Sequence, residues 1–133
     1  MSHPSRGQCL IINQVGIGDP LGSCAQRAAD NYRELAKLWG FQDDSIRTVS
    51  TLSYIGVLAE VDNTLKRKIT DQDDMVLVCI MGHGATGDTI QTTNTHPPAQ
   101  RFIDPKQEIL RRLNSMQVPQ LLGRPKVIRA SRY

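Results

Sequence analysis

The feature that most constrains the fold is a run of seven consecutive apolar residues from Met75 to Met81. A run this short and this apolar is typical of a strand that is buried on both faces of a sheet. The run from Cys9 to Ile12 has the same character. Strands that are covered on both sides need helices on both sides, so the two runs favour a parallel sheet in an α/β fold.

Helical periodicity appears in the segments between and after these runs. Apolar residues recur at steps of three and four from Ala25 to Trp39 and from Ile55 to Leu65, which predicts two helices. The pair Asp104-Pro105 predicts the start of a third helix, because an aspartate cap often precedes a proline in the first turn. Weaker strand patterns lie at Ser45–Ser50 and Pro125–Ile128. This alternation implies crossover connections within one sheet.

Length and composition limit the class of protein. The 133 residues suit one domain, and we expect a flexible N-terminus over residues 1–7 and a single domain over residues 8–133. No stretch approaches the roughly 20 apolar residues of a membrane span, and the first residues lack the pattern of a secretion signal. We therefore expect a cytoplasmic protein that does not bind a membrane.

Charges and cysteines exclude further classes. Residues 101–133 carry eight basic and two acidic side chains, but few aromatic residues accompany them, so we interpret this charge as a solvated face and expect no nucleic acid partner. The three cysteines are odd in number and lack metal-ligand spacing, which indicates reduced core thiols and no metal site. Two features remain that could carry chemistry. His83 lies between two glycines after the most apolar strand, and the glycine-rich segment 16–22 resembles a dinucleotide-binding turn with irregular spacing.

Four segments, in order, resemble the caspase family. They are Leu10–Asn13, similar to the A-L-I-I-N strand; Ala28–Phe41, similar to the first helix; Met75–Gly87, similar to the strand and S-H-G-x-x-G turn; and Leu113–Ile128, similar to the L-N run that ends in P-K-V-I. The resemblance covers nearly the whole chain and is nearest to the large catalytic subunit of the inflammatory branch. It implies a caspase-like three-layer sandwich, the large-subunit half only, with a mostly parallel sheet and helices on both faces.

The resemblance also assigns roles to individual residues. In caspases a cysteine thiolate attacks the carbonyl after an aspartate, a histidine transfers protons and backbone amides stabilise the oxyanion. His83 matches the proton-transfer histidine and Gly84 matches the oxyanion donor. By motif, Arg129 stands at the glutamine of the substrate pocket and Ser131 at the nucleophile. Counting from Pro125 instead places Tyr133 at the nucleophile. No cofactor and no metal are implied.

The chain departs from the family where the chemistry occurs. Neither alignment supplies a thiol, and a serine hydroxyl is a much poorer nucleophile at neutral pH. The loop Asp19–Ser23 also lacks the arginine with which caspases select aspartate. These losses together lead us to expect a degenerate nucleophile motif and a catalytically inactive protein, although the family consists of cysteine endopeptidases and the residues leave enzymatic activity open.

The expected function is therefore that of a pseudo-caspase that modulates caspase signalling in apoptosis or inflammation. Its partners would be caspases or caspase regulators, with a small-subunit chain or a second copy pairing along the edge Pro125–Arg129. Two alternatives stay open. In the first alternative, the chain is a fragment of an active cysteine endopeptidase that cleaves after aspartate. In the second, which has less support, it is a nucleotide-binding α/β domain that uses the glycines of segment 16–22.

Overall fold

A computed structural model describes residues 7–15, 20, 22–68, 75–84, 88–115 and 125–132. Within these residues the elements are, in chain order, β1 Gly7–Asn13, α1 Gly22–Leu38, β2 Ile46–Ser50, α2 Tyr54–Lys68, β3 Met75–Gly82, β4 Ile90–Gln91, β5 Phe102–Ile103, a π-helix at Pro105–Leu110 that continues into α3 Arg111–Ser115, and β6 Lys126–Arg132. Single 3-10 turns lie at Asp43–Ser45 and Pro98–Gln100. The predicted order of strands and helices is confirmed.

The main sheet has four strands in the order β2-β1-β3-β6, and every neighbouring pair is parallel. The central strands β1 and β3 are aligned so that Ile11 lies opposite Cys79. On the other side of β3, Met81 lies opposite Ser131. All four strands therefore end at the same edge of the sheet. A separate antiparallel pair, β4 and β5, follows β3 in the chain.

The two faces of the sheet hold separate cores, as the alternation of side chains along a strand requires. One face packs against α2 and the Pro105–Ser115 helical segment. Its fully buried members include Leu10, Ile12, Val57, Val61, Val76, Val78, Ile80 and Ile109. The other face packs against α1 through Cys9, Ile11, Ala29, Ala36, Leu77, Cys79 and Met81. The predicted parallel α/β fold with helices on both faces is confirmed.

The helix predicted to start at Asp104-Pro105 begins as expected. The Asp104 carboxylate accepts hydrogen bonds from the backbone N–H groups of Lys106 and Gln107, and Pro105 occupies the first turn. This arrangement satisfies amides that have no partner inside the helix. The segment differs from the prediction in its winding, because its first six residues form a π-helix before α3 continues it.

The last strand is longer than the sequence pattern predicts. The apolar residues end at Ile128, but β6 pairs with β3 as far as Arg132. The extension follows from the partner strand, because β3 offers backbone groups up to Gly82 and β6 continues in register with them. The segment Ala130–Arg132, which follows the predicted strand Pro125–Ile128, therefore lies inside β6.

Candidate functional site

His83 follows the central strand β3 directly, at the edge where the parallel strands end. His83 is half-buried, and its carbonyl oxygen accepts a hydrogen bond of 2.8 Å from the backbone N–H of Gln91. The next residue, Gly84, is exposed and forms an antiparallel bridge with Ile90. The chain therefore turns back on β4 immediately after the histidine, which fixes the direction in which His83 leaves the sheet.

Gly82 allows this turn to pack closely. A Cβ atom at this position would lie 2.9 Å from the Cβ of Gln14 and 2.9 Å from the Cγ2 of Ile90. Both distances are too short for ordinary carbon contacts. The glycine before His83 is thus required by the approach of two neighbouring segments.

Gln14 joins the segments around this edge, a role that no sequence pattern predicts. Its side-chain amide donates to the carbonyl of Leu52 at 2.7 Å, and its side-chain oxygen accepts from the N–H of Leu52 at 2.7 Å. The same amide lies 3.4 Å from the carbonyl of Gln91. Its backbone N–H donates to Met81. A glutamine after a strand gives no signal of such a role, because its partners lie 38 and 77 residues away.

Ser131 lies within β6, opposite Met81 of β3. The last described pair is Gly82 with Arg132, so Ser131 lies two residues before the level of His83. At about 3.3 Å per residue this offset corresponds to roughly 6 to 7 Å along the strands. The Ser131 and Tyr32 hydroxyl oxygens are 2.5 Å apart and share a hydrogen bond. The structure therefore brings Ser131 together with Tyr32 of α1, a partner that no sequence pattern predicts.

Arg129 lies further from the carboxyl edge, opposite Cys79. It is exposed and forms part of the wall of a cavity of about 420 Å³ between α1 and β6. The roles assigned by resemblance to His83, Gly84, Arg129 and Ser131 remain predictions.

The described cysteines do not meet His83 at this edge. Cys79 lies in β3 four residues before His83, which is about 13 Å along the strand. Cys9 lies in β1 at the level of Leu77 and is also buried. Cys24 is exposed on α1. The two buried thiols face the same side of adjacent strands, as expected for core residues.

The buried thiols influence each other. A hydrogen bond with Cys9 lowers the pKa of the Cys79 thiol, burial opposes this effect, and the positive charge of Arg129 adds to the lowering. The same hydrogen bond and burial raise the pKa of Cys9. The hydrogen bond between the two thiols is the largest cause of both pKa shifts, and it leaves the proton on Cys9.

Several predicted features fall outside the described residues. They are residues 1–6, most of the glycine-rich segment 16–22, residues 85–87 after Gly84, and Tyr133. In the part of the chain that is described, no three histidine, cysteine or carboxylate side chains lie close enough to hold a metal ion. No described helix has both the length and the apolar character needed to cross a membrane.

The strand order, the helices on both faces and the histidine directly after the central strand define a caspase-like α/β fold. Among solved structures, caspase-1 from Spodoptera frugiperda superposes with a TM-score of 0.72 over 98% of this chain, at 19% sequence identity. At this identity the likeness shows the fold alone. No protein-family model matches the sequence, and no curated protein matches it.

The chain spans 48% of the length of the insect caspase. The matched part contains the four-stranded parallel sheet with β6 at one end.

Proposed function

We propose that this chain is a catalytically inactive, caspase-like large-subunit domain that modulates caspase signalling in the cytoplasm by binding caspases or their regulators. The observation that carries the proposal is the position of Ser131, in β6 opposite Met81 with its hydroxyl hydrogen-bonded to Tyr32. A nucleophile must come within about 3 Å of its base, directly or through one water. The Ser131 hydroxyl oxygen is instead 2.5 Å from that of Tyr32, on the α1 side of the sheet.

The chemistry of the available groups supports the same proposal. A serine hydroxyl needs an activating base and an orienting group, whereas Ser131 is bound to the hydroxyl of Tyr32. The thiol nearest to His83 in sequence is that of Cys79, inside the sheet and 2% exposed. Neither group is placed for attack on a peptide carbonyl beside His83. A scaffold whose described residues bring no thiol to His83 and bind Ser131 to Tyr32 supports a binding function.

The proposal is tested by mixing the purified chain with an active caspase and measuring complex formation and peptidase activity. Size-exclusion chromatography with light scattering should reveal a complex, and the caspase rate should change with the amount of chain added. A matched pair of variants locates the surface. Val127→Asp alters a residue of β6 that is 39% exposed, whereas Ile55→Asp alters a residue of α2 that is 66% exposed. Only the first should weaken the complex. A strictly monomeric chain that leaves caspase activity unchanged would count against the proposal.

One observation favours a second candidate, a fragment of an active cysteine endopeptidase that cleaves after aspartate. The chain spans 48% of the length of the insect caspase whose fold it shares. A transcript that continues into a Gln-Ala-Cys-Arg-Gly motif would support this alternative. A transcript that ends with the present sequence would support the inactive domain.

A further inference from the structure

A cavity of about 420 Å³ lies between α1 and β6, on the face of the sheet that α1 covers. We call it the α1–β6 cavity. Tyr32 and Ala36 of α1, with Trp39 just after the helix, form its wall. Strands β3 and β6 form its floor, where Cys79 lies opposite Arg129. Its volume is in the range of sites that hold small molecules.

The wall carries two aromatic rings with space between them. Ala36 lies between Tyr32 and Trp39 in the sequence, is 1% exposed and contributes only a methyl group to the cavity. Trp39 is 47% exposed at the rim. The Tyr32 hydroxyl already shares a hydrogen bond with Ser131, so the ring of Tyr32 is the part left to contact a ligand. Aromatic rings pair favourably with a further ring, in offset or edge-to-face contact, so this wall suits a flat aromatic body.

The cavity is apolar except for one charge. Arg129 is the one charged side chain in the described lining, which contains no carboxylate. Within the part of the chain that the structure describes, its guanidinium has no ion pair and no hydrogen bond. Other described arginines do pair with carboxylates: Arg33, Arg47 and Arg112. The charge of Arg129 acts on the floor of the cavity, because it adds to the hydrogen bond from Cys9 in lowering the pKa of the Cys79 thiol.

A carboxylate attached to the aromatic body would complement this charge. A guanidinium binds a carboxylate through two parallel N–H···O bonds, and the pair is stronger where water is partly excluded. Val127 lies two residues before Arg129 on the same face of β6, about 7 Å away along the strand. An acid with two fused rings spans that separation, so its rings would lie over Val127 while its carboxylate meets Arg129.

We propose that the α1–β6 cavity binds a small aromatic carboxylic acid, with the rings against Tyr32, Trp39 and Val127 and the carboxylate paired with Arg129. This inference goes beyond the proposed function and does not depend on it. The apolar wall and floor supply most of the contact with the ligand. Arg129 supplies the preference for an acid over a neutral molecule of the same shape.

The test uses the full 133-residue chain, 2-naphthylacetate and the neutral 2-naphthylacetamide. The chain has one tryptophan, so the indole N–H of Trp39 gives one signal in a proton–nitrogen correlation spectrum. Titration with the acid should shift this signal, with a dissociation constant below about 1 mM. The amide has nearly the same shape and lacks the charge, so it should bind about five- to tenfold more weakly.

Matched variants separate the charge from the apolar contacts. Arg129→Met removes the charge and keeps an apolar side chain, so the acid should bind this variant as weakly as the amide does. Arg27→Met makes the same change at an exposed position of α1 outside the described lining, and it should alter neither affinity.

A second pair of variants tests the cavity itself. Val127→Phe should fill part of the space and weaken the acid and the amide alike, whereas Ile55→Phe on the exposed side of α2 should weaken neither. The spread of signals in the same spectra reports whether each variant is folded.

Three results would overturn the inference. They are a Trp39 signal that does not move at 5 mM acid, equal affinity of the unaltered chain for the acid and the amide, or equal weakening of acid binding by Arg129→Met and Arg27→Met. No caspase is present in these titrations. Their failure would therefore leave the proposed function standing, and a chain without effect on caspases could still bind the acid.

Discussion

The hydrogen bond between Tyr32 and Ser131 gives the sharpest prediction about the candidate site. If Ser131 is a structural partner of α1, removing either hydroxyl should cost stability, and removing both should cost little more than removing one. The variants are Tyr32→Phe, Ser131→Ala and the double variant. Each change removes a hydroxyl and creates no new polar group.

The expected size follows from the geometry. The two oxygens are 2.5 Å apart, and both residues are half-buried. A hydrogen bond between neutral groups contributes about 1 kcal/mol to the free energy of unfolding. We expect each single variant to lose about 1 kcal/mol, and the double variant to lose about the same, which gives a coupling energy of about 1 kcal/mol.

Urea denaturation followed by circular dichroism measures these free energies. Ser50→Ala serves as the matched control, because Ser50 is exposed in β2, which lies at the opposite end of the sheet from β6 and Ser131. Combined with Tyr32→Phe, this control should give additive losses within about 0.3 kcal/mol. Additive losses for the Tyr32 and Ser131 pair would refute the interpretation of Ser131 as a partner of α1.

Three further predictions concern the core, the α2 surface and the thiols. Ile109→Ala should lower the free energy of unfolding by about 2–5 kcal/mol, because Ile109 is fully buried. Leu38 is 82% exposed, so Leu38→Ala should change the free energy of unfolding by less than about 0.5 kcal/mol. Equal losses in the two variants would contradict the described core. The hydrogen bond to Glu108 raises the pKa of Tyr54 above its ordinary value of 10, so the folded state holds this proton more tightly and stability should fall as the pH rises above 10. Urea titrations should show a smaller alkaline loss in Tyr54→Phe, and an unchanged loss would count against the shift. A colorimetric thiol reagent should modify one thiol of the folded chain, that of the exposed Cys24. It should modify no thiol of the Cys24→Ser variant until urea unfolds it. Rapid modification of the folded Cys24→Ser variant would show that the core thiols are accessible.

Local patterns in the sequence predict much of this fold. The apolar run Met75–Met81 marks the central strand because it is buried on both faces, and the steps of three and four in α1 and α2 mark helices because each helix buries one stripe. The cap at Asp104 is equally local, since its partners are two and three residues away. These signals are carried within a single element, so they can be interpreted without the tertiary structure.

The candidate site depends on contacts that no local pattern records. Tyr32 and Ser131 are 99 residues apart in sequence, and the extension of β6 to Arg132 comes from pairing with β3. The need for glycine at position 82 likewise arises from Gln14 and Ile90, which approach from other segments. The apolar run Met75–Met81 located His83 after the central strand, but the position of Ser131 relative to it required the register of two strands.

The most direct measurement of the central claim is a peptidase assay of the purified chain with a fluorogenic peptide that ends in aspartate. The claim predicts a rate equal to that of buffer, for the unaltered chain and for His83→Ala and Ser131→Ala alike. Turnover by the unaltered chain that is abolished by either substitution, or by replacing a cysteine, would contradict it.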